Sequence, residues 1–423
     1  MWVEHPDLAL LLYSTGAEAA ECAGLNEKSD WYCKEVRRKP DIPILDKMRV
    51  LKVVVERLYS DGKYDELWTA CLDTLDQLDC KLPRNKKLQK LGAAIAIQET
   101  KRYRLPVEAE VDDMPMIHDP KKCEAIAFMT KAASFCLGSK NKPLYIILCC
   151  RCVRWTKKYG LTPHTASAFA SFSNVLMHEY GDWSTAMKIA ELALSIEHRL
   201  GSNYTKTSTL HKVSSFVLGW VKPLRTCRTS YLEAYRVGML SGNIEGVGMA
   251  ILFFLMCEFF SGGHRLQGLE EDLRNYIPQL EKLKLHAYVL GLRLLWQKVL
   301  NLMGTPYNPQ TTALTGTAMH GIDIERHPFI YNTVGRHHIC NLCAYFGEYE
   351  KGANIALNMG DVFYKTWSGA AYFGFEPFSR ALCLFAMAIR TMTSTKTRPG
   401  GGGNGPSKKY LKAARKTRSC IVK

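Results

Sequence analysis

Residues 46–78 read DKMRVLKVVVERLYSDGKYDELWTACLDTLDQL, two apolar-periodic stretches around one tight break. The break is Ser60-Asp61-Gly62-Lys63, with Gly62 where the C-terminus of a helix takes a left-handed cap. Apolar residues recur at helical spacing on both sides of it. They are Met48, Val50, Leu51, Val54, Val55 and Leu58 before the break, and Leu67, Trp68, Cys71, Leu75 and Leu78 after it. This stretch predicts a helical hairpin.

The same turn signature recurs farther along the chain. A glycine ends one helix, a polar residue caps the next, and an aromatic or aliphatic residue packs back onto the hairpin. The turn positions that we assign in this way are Gly62, Gly181, Asp182, Trp183, Gly242, Gly347 and Tyr349. We expect core packing to account for the aromatic members of the set. The glycines are unevenly spaced, so the copies are divergent and keep no strict ~34-residue period.

Proline, glycine and polar clusters divide the chain into six predicted segments. These are N-terminal helical hairpins at 1–82, a Pro-containing connector at 83–122, a central helical-repeat array at 123–303, a loop at 304–327, C-terminal helical hairpins at 328–394, and a Gly-rich linker with a basic tail at 395–423. The last segment is expected to be disordered. No alternating apolar run favours a sheet. The sequence therefore predicts an all-α fold, a tetratricopeptide-like array of helical hairpins (an α-solenoid) with a flexible basic tail.

Length and charge limit the classes of protein that fit. At 423 residues the chain exceeds the about 250–300 residues of a single core, which favours several lobes or a solenoid. The formal net charge is +16, but nine basic residues and no acidic residue lie in 396–423. Much of the excess charge is therefore expected in the tail, where it could contact acidic surfaces. We expect no specific nucleic-acid partner.

Cysteine usage and the N-terminus indicate a compartment. The 15 cysteines are odd in number and several lie on apolar helical faces, which favours reduced, buried thiols over a disulfide framework. No export signal is visible, and the longest apolar run, Val247–Cys257, is shorter than the about 18–20 residues that span a bilayer. The sequence predicts a cytoplasmic protein without a transmembrane segment.

The strongest candidate for metal chemistry is the stretch 337–343, HHICNLC. Its weak candidate ligands for zinc are His337, His338, Cys340 and Cys343. A structural zinc site needs four converging ligands, with the Cys-x-x-Cys pair on a turn. This stretch is instead apolar-periodic and leads into a helix break at Gly347. Cysteines three residues apart share one helical face, so buried thiols are the preferred interpretation.

The glycine-rich run 400–405 does not satisfy the requirements of a phosphate-binding loop. No strand precedes it, and Pro406-Ser407 stand where Lys-Ser or Lys-Thr would follow the last glycine. Nothing else in the chain matches a kinase catalytic loop or a nucleophile elbow. We therefore expect no catalytic residue, no resident metal and no cofactor.

Several short motifs spread along the chain carry a resemblance to a known family. They include LDCKLP at 78–83, MPMIHDP at 114–120, KYGLTP at 158–163, WVKPL at 220–224 and EAYRVG at 233–238, with LYSTGAEAA at 12–20 before them and NLMG at 301–304 and FGEY at 346–349 after them. In this order they resemble the helical region of very large signalling ATPases, from about residue 8 to about residue 390. In that family a kinase-like domain and an AAA/NACHT-type NTPase precede a tetratricopeptide-like array, and GAF and histidine-kinase modules often follow it. Asp79 replaces the family's usual glycine in the motif LDCKLP.

The resemblance implies a function without catalysis. In the family the chemistry belongs to the flanking domains, and none of their motifs occurs in this chain. It therefore implies a protein–protein interaction or regulatory scaffold of signal transduction, with other proteins or peptides, such as a kinase or NTPase domain, as partners. Two alternatives remain open. The basic composition is also compatible with an RNA-binding helical repeat, and the chain is also compatible with a fragment of a multidomain ATPase or kinase.

Overall fold

A computed structural model describes residues 2–102, 110–138, 141–263, 265–305, 310–322, 324, 327–360, 362, 369–396 and 406–422. Within these residues the fold is all-α, as the sequence predicts, and contains no strand. The chain divides into two compact units. Unit 1 comprises Met1–Val175 and Ser184–Gly201, and unit 2 comprises Leu176–Trp183 and Ser202–Lys423. This division does not coincide with the predicted connector at 83–122, which itself contains a helix of 17 residues, Lys86–Arg102.

The principal helices are numbered along the chain. The first nine are α1 (Pro6–Cys22), α2 (Asn26–Arg37), α3 (Ile44–Ser60), α4 (Tyr64–Gln77), α5 (Lys86–Arg102), α6 (Pro120–Gly138), α7 (Lys142–Tyr159), α8 (Thr165–Tyr180) and α9 (Trp183–Leu200). They are followed by α10 (Asn203–Val213), α11 (Arg228–Ser241), α12 (Ile244–Ser261), α13 (Leu266–Lys282), α14 (His286–Met303), α15 (Arg336–Phe346), α16 (Tyr349–Met359), α17 (Phe375–Lys396) and α18 (Pro406–Val422).

Unit 1 begins with helical hairpins. α1, α2 and α3 share an apolar cluster around Ala17, Val36 and Val50, all of which are buried. The break between α3 and α4 closes when the Lys63 amide donates to the Leu58 carbonyl at 2.9 Å. This bond satisfies a carbonyl that the end of α3 would otherwise leave without a partner.

A close backbone approach in unit 1 joins two of the motifs that carry the family resemblance. The Leu161 amide donates to the Pro115 carbonyl at 2.7 Å, and the Ile117 amide donates to the Leu161 carbonyl at 2.9 Å. Gly160, at the end of α7, has a φ of +112°, and a Cβ placed there would lie 2.2 Å from the Pro115 oxygen. Only glycine fits this position without a shift of the backbone.

The core of unit 2 is built around α12. Its apolar side chains are buried on every side, including Ile251, Leu255 and Phe253. By length and composition alone α12 could cross a membrane, with a mean hydropathy of 1.8 over 18 residues, and 67% of that window is buried inside the protein. The apolar run Val247–Cys257 therefore underestimates this helix, because flanking residues extend it to Ile244–Ser261. A helix that is apolar all round is typical of such a core.

Two helices of unit 2 contain a π-helical turn. Ser214–Leu218 continues α10 and is followed by a helical turn at Gly219–Val221. Tyr331–Gly335 lies between a turn at Pro328–Ile330 and α15. π-turns are rare and often occur near functional sites, because they change which side chains face a neighbour.

The basic tail differs from the expected disorder. Residues 406–422 form α18, and its Ala414 and Thr417 are buried. Ala414 joins a cluster with Cys340, Cys343 and Cys383 of α15 and α17. The helix forms because Lys, Arg, Ala and Leu favour helical backbone and one face finds apolar partners. Residues 397–405 lie outside the described residues.

Candidate protein-interaction surface

An exposed apolar stripe runs along α17. Its members are spaced alternately three and four residues apart, and we name them the α17 seam. They are Phe375, Phe378, Leu382, Phe385, Ile389 and Met392. Phe378 and Ile389 are 61% and 63% exposed, whereas Phe375 also stacks on Phe260 at a centroid distance of 4.8 Å and Phe385 packs partly against the cluster of α15, α16 and α17. This spacing is that of the a and d positions of a coiled coil, which normally face a partner helix.

The opposite face of α17 fixes the helix to unit 2. Cys383, Leu384 and Met387 are buried in the cluster that α17 shares with α15 and α16. At the first turn, Arg380 Nη1 donates to Glu376 Oε1 at 3.1 Å, and both side chains are buried. A carboxylate near a helix N-terminus is stabilised by the helix dipole. The seam therefore lies on a helix that is held in place by the core of unit 2.

α18 gives this part of the surface one sign of charge. Between residues 377 and 423 the sequence contains no acidic residue. α18 packs on α17 through its buried face and exposes Lys409, Lys412 and Arg415. The pair of helices that carries the seam therefore exposes apolar side chains on α17 and basic side chains on α18.

The four weak zinc candidates are all buried in α15. Cys340 and Cys343 face the apolar cluster around Gly352, where an added Cβ would lie 2.5 Å from Cys383 Sγ. Burial raises the pKa of the Cys343 thiol to about 12, which keeps it protonated, whereas zinc binds the thiolate. Among the described residues, no group of three or more His, Cys, Asp or Glu side chains is arranged to hold a metal ion.

His337 and His338 lie beside a buried lysine that the sequence analysis missed. Their ring centroids are 5.3 Å apart, and both side chains are fully buried. Lys298 of α14 is also fully buried, with its Nζ 3.8 Å from the centroid of the Phe259 ring and 5.0 Å from that of Phe260. Burial lowers the pKa of all three groups well below their usual values. Three basic groups whose charged forms are disfavoured by burial therefore share one apolar region of unit 2.

The polar neighbours of Lys298 on α14 form hydrogen bonds, but its own amine forms none with the described residues. Gln297 Nε2 donates to Asn301 Oδ1 at 2.8 Å, and Asn301 Nδ2 donates to the Ala313 carbonyl at 2.7 Å. No carboxylate is among the causes that shift the pKa of Lys298. The amine is therefore an uncompensated polar group in the core.

The predicted turn residues take different environments. Gly62, Gly181, Gly242 and Gly347 have positive φ angles between 63° and 74°. Trp183 is 38% exposed, although it packs edge-on against Trp220 at a centroid distance of 6.1 Å. Tyr349 packs partly against the cluster of α15, α16 and α17. These residues close hairpins and contribute to packing, and they do not form one site.

The seam is the feature that pattern reading overlooked. The signal was present in the spacing from Phe375 to Met392, but α17 also carries a second apolar face. Comparison of the chain with protein-family models, with curated proteins and with solved structures gives no match in any of the three.

Proposed function

We propose that this chain is a non-catalytic protein–protein interaction or regulatory scaffold and that the α17 seam is its docking element. The observation that carries the proposal is the regular apolar spacing of six seam residues on a helix whose other face is anchored. An exposed apolar stripe of this kind normally marks an interaction site. The proposal includes a cytoplasmic role in signal transduction, in keeping with the resemblance to the helical arm of signalling ATPases.

The proposed architecture is a tetratricopeptide-like array. Consecutive helices pack as pairs, among them α1 with α2, α3 with α4, and α11 with α12. Left-handed glycines follow the first helix of the pairs at Gly62 and Gly242. These features support stacked hairpins, in which each repeat contacts its neighbours.

The area of the seam supports binding of moderate strength. Fully burying an apolar side chain contributes about 1.5–3 kcal/mol, so burying the exposed parts of the five exposed seam residues contributes roughly 4–7 kcal/mol. Association costs about 4–15 kcal/mol in lost freedom of motion. The seam can thus anchor a complex, but a further contribution must set its affinity and its choice of partner.

Photo-crosslinking from the seam tests the proposed function. With p-benzoylphenylalanine in place of Phe378, we expect a discrete protein adduct in cells that express the chain, because this side chain is 61% exposed. Ile389→Ser in the same chain should reduce the adduct about tenfold or more, since a lost anchor of 1.4 kcal/mol has that effect. The matched control carries the crosslinker at Tyr345, an aromatic residue that is 62% exposed off the seam. Equal adducts from both positions, or none from either, would contradict the proposal.

A further inference from the structure

The helix pair α17–α18 offers a partner two kinds of contact at once. The seam is apolar over the 18 residues from Phe375 to Met392, a length of about 26 Å on a helix. Among the side chains that the structure describes on this pair, the exposed charges are all positive. They are Arg390, Lys408, Lys409, Lys412, Arg415 and Lys416. The negative charge of Glu376 does not offset them, because that carboxylate is buried and accepts from Arg380.

We infer that the occupant of the α17 seam is an amphipathic α-helix of a partner protein, with apolar residues at its own a and d positions and acidic residues beside them. This inference rests on the proposed function and adds the chemistry of the partner. A partner helix of roughly 18 residues matches the length of the seam. Its carboxylates are attracted by the exposed basic side chains of Arg390 and α18, because the positions that flank the seam on α17 itself carry only Ser, Ala and Thr.

Other occupants fit the observations less well. A second copy of the chain would place two pairs without exposed acidic charge side by side, and like charges oppose that contact. An anionic membrane accepts basic and apolar groups together, but it favours a wide apolar face, whereas this seam is only two positions per heptad. RNA matches the charge, and its bases can stack on Phe375, Phe378 and Phe385. The other seam members, Leu382, Ile389 and Met392, however, interrupt a platform of successive aromatic rings.

Three synthetic helical peptides test the inference by fluorescence titration of the full chain. All carry leucine at the a and d positions, and their flanking positions carry glutamate, glutamine or lysine. At low salt we expect the glutamate peptide to bind at least about tenfold more tightly than the glutamine peptide, and the lysine peptide to bind weakest. The preference should shrink near 1 M salt, where the Debye length is about 3 Å.

Variants separate the apolar contribution from the charge. Phe378→Ser with Ile389→Ser should weaken the glutamate and glutamine peptides alike, by about tenfold or more. Lys409→Gln with Lys412→Gln and Arg415→Gln should weaken only the glutamate peptide. Tyr345→Ser, at an exposed aromatic residue of α15 off the seam, is the matched control and should change neither. Circular dichroism checks that each variant keeps its helices.

The outcomes distinguish partner chemistry from function. Equal affinity for the glutamate and lysine peptides, or binding that ignores the seam variants, overturns the inference. Self-association in sedimentation that is lost in the seam variants also overturns it. So does binding of phosphatidylserine vesicles or of RNA that depends on the seam, if the glutamate peptide does not bind. If a protein adduct still forms from position 378, only the partner chemistry is wrong. If no adduct forms either, the proposed function falls as well.

Discussion

Replacing Lys298 with methionine is expected to raise the free energy of unfolding of unit 2 by about 1–3 kcal/mol at a pH of about 10.4, the cost of a buried amine without a hydrogen-bond partner, and by more at neutral pH. Methionine has a similar length and leaves the apolar region around Phe259 and Phe260 filled. A charged amine over these rings would gain about 2 kcal/mol, but burying an ion costs several kcal/mol. The folded state is therefore expected to favour the neutral amine over the charged one, and replacing that amine by an apolar group is expected to stabilise the fold.

The pH dependence of this variant identifies the mechanism. Because the folded-state pKa of Lys298 is depressed, the unfolded chain binds a proton that the folded chain does not, below the unfolded pKa of about 10.4. The contribution of Lys298 to stability therefore rises with pH up to that value. The advantage of methionine should be greatest near neutral pH and should diminish as pH approaches about 10.4.

Amide hydrogen exchange within α14 is the measurement, because it reports the opening of unit 2 without requiring a two-state transition. Lys282→Met, at an exposed lysine at the end of α13, is the control and should leave exchange nearly unchanged. A lower protection of α14 in Lys298→Met, or an advantage that does not vary with pH, would show that the amine is charged and paired in solution.

Gly160→Ala is expected to destabilise unit 1 by more than the about 1–3 kcal/mol that a strained backbone conformation costs by itself. Gly160 combines a φ of +112° with an extended ψ of −171°, a region reserved for glycine. The new Cβ would also meet the Pro115 carbonyl oxygen at 2.2 Å. Relieving that clash has to break the hydrogen bond from the Leu161 amide to the same oxygen.

Gly62→Ala provides the comparison for this second prediction. Gly62 also has a positive φ, of +70°, but an added Cβ finds no atom within 4 Å. Gly62→Ala should lower the free energy of unfolding by only about 1–2 kcal/mol, the cost of placing alanine in a left-handed conformation. Urea unfolding followed by the exchange of α7 amides compares the two. Equal losses would show that the 115–161 contact is not formed in solution.

The helical hairpins were predictable because their signals are local. The turn at 60–63 needs only a glycine, a polar cap and two periodic stretches, all of which stand in the sequence. α18 was missed although its composition favours a helix, since Pro406 suits a first turn and lysine, arginine and alanine follow it. Its proximity to the glycine run suggested disorder, and the docking of Ala414 is a tertiary contact.

The candidate surface was not predictable for a different reason. α17 is apolar on the seam and again on the face with Cys383 and Met387. Periodicity identifies both faces but cannot tell which of them the rest of the chain covers. Lys298 was missed because a lysine is normally assigned to the surface. Only the placement of α12 and α15 around α14 shows that it is enclosed.

The π-turn at Tyr331–Gly335 has a genetic consequence. A π-turn holds one residue more than the α-helical turn that it replaces, so it corresponds to a one-codon insertion. Deleting one codon there would restore the α-helical path and leave the residues that follow on their original faces. His337 and Cys340 would then stay buried on the same sides of α15. A reading frame scanned by single-codon deletions should therefore tolerate losses at these five positions better than losses within α15, where one missing residue rotates all that follows by about 100°.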